Sequence, residues 1–316
     1  MQNKTNEILS EIKKVIIGKD EVISKVLMAI LSGGHILLED VPGVGKTTLA
    51  LAFSQALGLD YKRIQFTSDT MPSDVIGFSL FDKAQNSFVF QSGPVMTNLL
   101  LADEINRTSS KTQSALLEVM EERKVTIDGE THLLPQPFIV LATQNPVGSA
   151  GTQMLPSSQL DRFMIKLEMG YPDFKSQVDI LKDRHTENPL NAVRSVVNVE
   201  QLLEMQQEVT KVYISDKIYE YVTHLAEATR NNEMIELGIS PRGALAVCRF
   251  SKAMAFLQNR DYVIPEDIKN VFSDVCAHRL VMNRKARMSG YSAESAIKEI
   301  MKTIDMPSVI ADKRKN

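Results

Sequence analysis

The sequence of 316 residues predicts an α/β fold, in which a doubly wound parallel sheet is followed by a smaller helical domain. Three observations predict it. Short apolar runs alternate with helical stretches up to about residue 170. Beyond that point only amphipathic helical patterns recur. Finally, a glycine-containing loop joins the first apolar run to a helix. The predicted strands are residues 35–38, 63–66, 99–102 and 138–142.

The strand pattern ends at Gly170-Tyr171-Pro172-Asp173, a turn-forming segment. After it, apolar residues recur at three- and four-residue spacing, as expected for amphipathic helices. One such stripe consists of Leu202, Met205, Val209 and Val212. The sequence therefore predicts an α/β domain over residues 1–172 and a helical domain over residues 173–316.

The composition excludes several protein classes. The 36 Lys and Arg residues nearly balance the 39 Asp and Glu residues, giving a net charge of −3. Nucleic-acid-binding surfaces usually carry a basic excess, so this balance argues against a nucleic-acid partner. Two cysteines are too few for a disulfide framework and favour a reducing cytoplasm. No apolar run is long enough to cross a bilayer, so we expect no direct membrane insertion.

Two further features carry less information. The five histidines, His35, His132, His185, His224 and His278, lack the spacing of metal ligands, so no transition-metal site is expected. The charged segment at residues 312–316 resembles a frayed tail.

The most informative segment, residues 35–50, resembles a Walker A phosphate-binding loop between a strand and a helix. Gly43 and Gly45 let backbone N–H groups turn toward phosphate oxygens, at the positive end of the following helix. Lys46 would reach the β- and γ-phosphates, and Thr47 would offer its hydroxyl to Mg²⁺. Asp40 stands where a glycine is expected, which is unfavourable unless its carboxylate points away or pairs with a cation. The alternative is a plain glycine turn.

Two later strands also end in polar residues. Residues 99–102 precede Asp103 and Glu104, the Walker B arrangement, in which Asp103 would hold Mg²⁺ and Glu104 would polarise the attacking water. Asn145 follows residues 138–142 and could orient that water. Taken singly, an acidic pair is often a helix N-terminus and Asn-Pro often a turn. Parallel strands bring these carboxyl ends into one crevice, which favours the catalytic interpretation.

These motifs, in this order and before a helical domain, resemble an AAA+ ATPase and more narrowly the MoxR branch. The similarity covers almost the whole chain. It rests on Leu-Glu-Asp-Val-Pro-Gly-Val-Gly-Lys-Thr at 38–47, Gln-Ser-Gly-Pro-Val at 91–95, Asp-Glu-Ile-Asn-Arg at 103–107, Ala-Thr-Gln-Asn-Pro at 142–146 and Leu-Pro-Ser-Ser-Gln-Leu-Asp-Arg-Phe at 155–163.

The resemblance assigns further roles by position. Arg162 resembles the arginine finger that reaches a neighbouring subunit's γ-phosphate, and Arg107 competes for that role. A salt bridge at a helix end is the simpler alternative for Arg162. Arg242, after Ser240-Pro241, resembles the sensor-two arginine. The apolar segment around Ile17 and Gly18 resembles the loop that packs on adenine, although Gly18 also suits a helix C-cap.

The resemblance also completes the predicted nucleotide site. The expected catalytic residues are Lys46, Glu104, Asn145, Arg162 and Arg242. The expected nucleotide-binding residues are Ile17, Gly18, Pro42, Gly43, Val44, Gly45, Lys46, Thr47 and Thr48, with Thr47 and Asp103 as the metal ligands.

The implied fold is an αβα sandwich of the P-loop NTPase type with an all-α lid. The implied function is Mg²⁺-dependent ATP hydrolysis by a hexameric ring that remodels or matures protein complexes, often with von Willebrand factor A domain proteins. Hairpins are predicted at residues 77–90 and 124–132, where relatives contact substrates or partners. The alternative is that both hairpins only cap sheet edges. The alternatives are a nucleic-acid-dependent motor or loader and an ATP-binding scaffold with little turnover.

Overall fold

A computed structural model describes residues 2–84, 86–145, 153–183 and 189–308 of the chain. The chain divides into two compact units, Met1–Gln206 and Gln207–Asn316, each of which is presented by itself. The domain boundary expected near Pro172 stays a prediction. Pro146, His185 and the charged tail at 312–316 lie outside the described residues.

The first unit alternates helices and strands. In chain order its elements are α1 (Gln2–Lys13), α2 (Asp20–Leu31), β1 (Ile36–Glu39), α3 (Lys46–Ala56), β2 (Tyr61–Gln65), α4 (Pro72–Ile76), β3 (Gly77–Asp82), β4 (Ser87–Ser92), β5 (Leu99–Asp103), α5 (Ser110–Glu122), β6 (Lys124–Ile127), β7 (Glu130–Leu133), β8 (Ile139–Gln144), α6 (Ser157–Leu160), β9 (Ile165–Leu167), α7 (Phe174–Asp183) and α8 (Val199–Lys211).

Five parallel strands form the central sheet in the order β2-β5-β8-β1-β9. The inner strands β5 and β8 are buried at every position, which explains why they are almost continuously apolar. Strand β2 lies at one edge of the sheet and has no fully buried residue, and Lys62 and Arg63 are exposed. The predicted α/β class is confirmed. The three-residue strand β9 was not predicted, because it is too short to give a periodic signal.

The sheet brings the carboxyl ends of neighbouring strands to one edge. Leu99 pairs with Ile139, and Ile36 pairs with Leu141. In this register the carboxyl ends of β5, β8 and β1 lie close to the same level of the sheet. Asp103, the Gln144–Asn145 pair and Asp40 therefore follow one another along the same edge. The predicted convergence of strand-ending polar residues is present in the fold.

Both predicted hairpins are present as two-stranded antiparallel pairs, β3 with β4 and β6 with β7. Asp128 and Gly129 turn the second hairpin with φ values of +50° and +85°, as a two-residue primed turn requires. Phe90 of the first hairpin stacks on His132 of the second, with ring centroids 4.0 Å apart. The first hairpin exposes a group of large apolar side chains, which are Phe78, Leu80, Phe81 and Phe88.

The second unit is mainly helical, as predicted. Beyond the end of α8 its elements are α9 (Asp216–Arg230), β10 (Ile235–Leu237), α10 (Pro241–Leu257), α11 (Pro265–Cys276), β11 (Val281–Met282), α12 (Arg284–Met288) and α13 (Ala293–Thr303). The short antiparallel pair of β10 and β11 was not predicted. Ser240 caps α10 by accepting a hydrogen bond from the Gly243 N–H at 3.1 Å, with Pro241 in the first helical position.

The structure shows the surroundings of the two cysteines and the lengths of the helices. Cys276 is buried, and Cys248 is partly buried. None of the helices within the described ranges is both long and apolar enough to cross a membrane.

A buried histidine joins β1, β8 and α5 below the candidate site. The Val140 N–H donates to His35 Nδ1 at 3.0 Å, so Nε2 carries the proton and donates to the Met120 carbonyl at 3.1 Å. Since both backbone groups are buried, His35→Ala should destabilise this unit by about 2 kcal/mol. Thermal unfolding followed by circular dichroism, with hydrogen exchange of the Val140 amide as the local readout, tests the expectation.

The matched control is His224→Ala on the exposed face of α9, which should change stability by less than about 0.5 kcal/mol. Equal melting temperatures for the two variants, with unchanged exchange at Val140, would contradict a structural role for His35.

Candidate active site

The loop between β1 and α3 has the backbone geometry of a phosphate-binding loop. Gly43 and Gly45 have φ values of +86° and +100°, and Gly45 is the N-cap of α3. A side chain at Gly43 would meet nothing within 4 Å, so its left-handed backbone conformation, rather than crowding, favours glycine there. Pro42 is exposed and Val44 is half-buried. The N–H groups at the start of α3 lie at the positive end of an 11-residue helix, which suits an anion.

Asp40, which stands in place of a glycine, has its carboxylate engaged by backbone donors. Its Oδ1 accepts a hydrogen bond from the Val41 N–H at 2.9 Å. Its Oδ2 accepts from the N–H groups of Met169 and Gly170 at 2.6 and 2.7 Å. Three N–H donors balance a carboxylate that is almost fully buried. The departure from the usual loop sequence therefore ties the loop to the segment that follows β9.

Lys46 lies over the loop. Its Nζ donates to the carbonyl oxygens of Asp40 at 2.8 Å and Val41 at 3.3 Å. Partial burial lowers the pKa of Lys46, and the negative charges of Asp40, Asp103 and Glu104 act in the opposite direction. Three carboxylates from the ends of β1 and β5 therefore act on one ammonium group. Thr47 and Thr48 follow in the first turn of α3 and are half-buried.

Asp103 is buried at the end of β5, and both of its carboxylate oxygens are engaged. The Thr143 hydroxyl donates to Oδ1 at 2.6 Å while accepting the Glu104 N–H at 2.9 Å. The Arg63 guanidinium, from the edge strand β2, donates to Oδ2 at 2.6 Å. Thr143 and Arg63 were not predicted from the sequence. In the sequence they are only polar residues within strands, and the sequence does not reveal which residues of neighbouring strands lie side by side.

Glu104 directly follows β5 in a left-handed backbone conformation, with φ +57°. Its Oε2 accepts hydrogen bonds from Gln65 Nε2 at 2.8 Å and from Arg107 Nη1 at 3.0 Å. Gln65, the last residue of β2, was also missed by the sequence reasoning. The two donors fix the orientation of the Glu104 carboxylate.

Asn145 follows β8 and is held through its backbone. The side-chain amide of Asn106 donates to the Asn145 carbonyl at 3.1 Å and accepts the Asn145 N–H at 3.4 Å. Asn106 is fully buried in the 3₁₀ turn Ile105–Arg107, directly after Glu104. The predicted Walker B and sensor residues are thus joined by one buried amide.

The residues present fit a magnesium ion bound mainly through a nucleotide. No cluster of three or more His, Cys, Asp or Glu residues that could hold a metal occurs in the part of the chain that the structure describes. Mg²⁺ commonly binds through one or two protein oxygens plus phosphates and water. The Asp103 carboxylate and the Thr47 hydroxyl are oxygen ligands of this type. The cationic guanidinium on Asp103 Oδ2 indicates that a positive charge is accommodated at that oxygen.

The proposed adenine loop packs on the start of α7. Gly18 has a φ of +73°, and a Cβ there would collide with the Ser176 side chain. Ile17 is half-buried beside it, and Lys19 Nζ donates to the Tyr171 carbonyl at 2.9 Å. Helix α1 ends at Lys13, so the expectation that Gly18 is a helix C-cap was wrong. Close packing and a positive φ explain the glycine.

Two of the three predicted arginines form ion pairs within the first unit. Arg162 Nε lies 3.3 Å from Glu121 Oε2, an ion pair at the end of α5. Arg107 contacts Glu104 of its own chain. Arg242 is exposed in the first turn of α10, in the second unit.

The chain matches two family models. Residues 35–165 match the model described as "ATPase family associated with various cellular activities (AAA)". Residues 227–300 match the AAA lid domain. The first range contains the loop and the ends of β5 and β8, and the second contains Arg242.

Similar proteins span nearly the whole chain. YeaC, an uncharacterised protein of Bacillus subtilis, is 45% identical over 95% of this chain and 93% of its own length. Chaperone MoxR1 of Mycobacterium tuberculosis is 38% identical over 95% of this chain and 82% of its own. A crystal structure of a candidate ATPase from Cytophaga hutchinsonii has a TM-score of 0.90, with 40% identity, and covers 97% of this chain and 96% of that one.

Asp40→Ala tests whether this carboxylate positions the loop. Removing the acceptor of three N–H groups should weaken ADP binding at least about 10-fold, since each unsatisfied buried donor costs about 1–3 kcal/mol. Hydrogen exchange at Met169 and Gly170 should rise in parallel. Calorimetric titration with ADP and exchange mass spectrometry provide the two measurements.

Asp305→Ala, which removes an exposed carboxylate near the described end of the chain, is the control and should leave ADP affinity unchanged. Wild-type affinity in Asp40→Ala would mean that the loop is positioned by other contacts.

Proposed function

The chain belongs to the MoxR branch of the AAA+ ATPases, and from this premise we propose that it is an Mg²⁺-dependent ATPase that remodels or matures partner protein complexes. The observation that carries the proposal is the meeting of Lys46, Asp103, Glu104 and the Asn145 backbone along one edge of a parallel sheet. Phosphoryl transfer depends chiefly on positioning and electrostatic stabilisation, and these groups supply both.

The loop residues would bind and orient the triphosphate. The N–H groups from Gly43 to Thr47 would surround phosphate oxygens, and Lys46 would exchange its carbonyl partners for the β- and γ-phosphates. Because the pKa of Lys46 is lowered by burial, an arriving polyanion would stabilise its charged form. Ile17 and Gly18 would flank the base. Mg²⁺, held by Thr47 and Asp103, would neutralise charge on the phosphate oxygens.

Glu104 would orient and polarise the water for in-line attack. In the structure Gln65 and Arg107 both donate to its Oε2, which orients the carboxylate for that role. Asn145 would hold the water from the other side, at a position fixed by Asn106.

We propose that the site is completed by a neighbouring subunit in a hexameric ring. We assign the finger that acts on the next subunit's γ-phosphate to Arg162 because of its position in the Leu160-Asp161-Arg162-Phe163 motif, whereas Arg107 contacts Glu104 of its own chain. The Arg162–Glu121 pair is partly exposed and therefore weak enough to exchange for a phosphate. Arg242 would sense the nucleotide from the lid.

The clients are proposed to be proteins, and von Willebrand factor A domain proteins are candidate partners through the family. The exposed aromatic and aliphatic side chains of the β3–β4 hairpin support a role in contacting protein rather than phosphate backbone. The near-neutral net charge also argues against a nucleic-acid-driven motor. The cytoplasm remains the proposed compartment.

Glu104→Gln should retain ATP binding and lose hydrolysis by about 10²- to 10⁴-fold, because an amide cannot accept the proton from water. Steady-state phosphate release and calorimetric ATP titration separate the two effects. Glu118→Gln, an exposed change on α5, is the control and should behave as wild type. A wild-type turnover no higher than that of Glu104→Gln would support the regulatory scaffold instead.

Arg162→Ala should abolish most hydrolysis without reducing ATP affinity, since an arginine finger contributes about 10³- to 10⁵-fold in rate. In the wild type, specific activity should rise with protein concentration as subunits assemble. Glu121→Gln removes the intrachain partner of Arg162 and should keep its activity. Equal losses in both variants would mean that the ion pair is structural and that the finger is another residue.

A further inference from the structure

The edge strand β2 faces the Walker B carboxylates with two polar side chains. Arg63 and Gln65 are two residues apart and therefore project to the same side of the strand. Arg63 donates to Asp103 Oδ2 at 2.6 Å, and Gln65 donates to Glu104 Oε2 at 2.8 Å. Arg63 also donates to Gln65 Oε1 at 2.8 Å. Strand β2 thus supplies a continuous polar chain to both carboxylates.

The Arg63–Asp103 pair is not required to hold β2 in the sheet. A full parallel ladder already pairs Tyr61–Gln65 with Leu99–Asp103. The Arg63 side chain is 46% exposed, and partly exposed ion pairs contribute little to stability. The close contact with a buried carboxylate therefore suggests a role at the site rather than in the fold.

The two oxygens of Asp103 have different partners, a neutral hydroxyl on Oδ1 and a cation on Oδ2. Thr143 accepts the Glu104 N–H, so its single hydroxyl proton goes to Asp103 Oδ1. The remaining oxygen, Oδ2, is the one that Arg63 contacts. A divalent cation approaching Oδ2 would meet a guanidinium at hydrogen-bonding distance, and the two positive charges repel each other.

We propose that Arg63 is an internal counter-ion that competes with Mg²⁺ for Asp103 and thereby sets the Mg²⁺ concentration at which nucleotide binds. The inference rests on the proposed function, because it assumes that Asp103 serves an Mg²⁺–nucleotide complex. Arg63 is a positioning residue: it does not contact the nucleotide but controls the carboxylate that would hold the metal. Its exposure leaves room for the side chain to move to solvent when the metal arrives.

The competition also reaches Glu104. Gln65 is held between Arg63 and Glu104, with its amide oxygen accepting from one and its amide nitrogen donating to the other. Departure of Arg63 removes one of the two partners that orient this amide. Metal arrival at Asp103 therefore loosens a donor on the carboxylate that must polarise water.

The test compares Arg63→Gln with Lys62→Gln in the full chain. Both variants lose one positive charge from β2, but Lys62 is exposed and projects from the opposite side of the strand. Calorimetry measures binding of the non-hydrolysable analogue adenylyl imidodiphosphate over a series of Mg²⁺ concentrations and in excess chelator. Arg63→Lys is a second variant that keeps the charge but not the planar fork.

Arg63→Gln should lower the half-saturating Mg²⁺ concentration about 3- to 5-fold, near the upper end of the range expected for losing one partly exposed ion pair. Lys62→Gln should stay within about twofold of wild type, because screened charge at that distance has little effect. Arg63→Lys should shift in the same direction by less. Binding in excess chelator should be no tighter in Arg63→Gln than in wild type.

Two results would overturn the inference while leaving the proposed function intact. Equal shifts in Arg63→Gln and Lys62→Gln would mean that the Mg²⁺ requirement depends only on the total charge of β2 and not on the Arg63–Asp103 contact. A higher Mg²⁺ requirement in Arg63→Gln, with weaker binding in chelator, would mean that Arg63 contacts phosphate. A wild-type chain that shows no Mg²⁺-dependent binding would overturn the proposed function and the inference together.

Discussion

The site depends on how three carboxylates are balanced beside a loop built to bind an anion. Asp40, Asp103 and Glu104 all act on the charge of Lys46, so each would repel a triphosphate if left without partners. Asp40 is satisfied by backbone N–H groups, Asp103 by a hydroxyl and a guanidinium, and Glu104 by an amide and a second guanidinium. The geometry of the loop, of β2 and of the 3₁₀ turn all follow from this requirement.

The contacts of the three carboxylates differ in how readily they can be exchanged for other partners. The Asp40 contacts are buried and use backbone donors, so they are permanent features of the fold. The contacts to Asp103 Oδ2 and Glu104 Oε2 come from side chains that are partly exposed. Exposed ion pairs are weak and exchange easily. The fixed contacts therefore shape the phosphate loop, while the exchangeable ones lie where metal and water would act.

The sequence predicted the parts of the site that follow from local pattern. The inner strands and the loop were evident from apolar runs and glycines, and the Asp128-Gly129 turn from its dipeptide. Arg63, Gln65 and Thr143 were not, because their roles depend on which strands are neighbours and in what register. For the same reason the Asp40 carboxylate looked unfavourable beside a phosphate-binding loop, since its partners at 169 and 170 lie far along the chain.

The strand that contacts the carboxylates also leads toward the exposed hairpin. After Gln65 the chain passes through the segment ending at Thr70, then α4 and the β3–β4 hairpin. The Thr70 carbonyl accepts hydrogen bonds from Thr108 at 3.3 Å and Thr112 at 2.8 Å, at the start of the helix that follows the Glu104 turn. The segment that leads to the hairpin is therefore joined to β2, which supplies Gln65, and to the start of α5, which follows the Glu104 turn. Under the proposed function, a rearrangement at Glu104 would therefore act on the segment that leads to the apolar hairpin, through Gln65 of β2 and through the hydrogen bonds at Thr70.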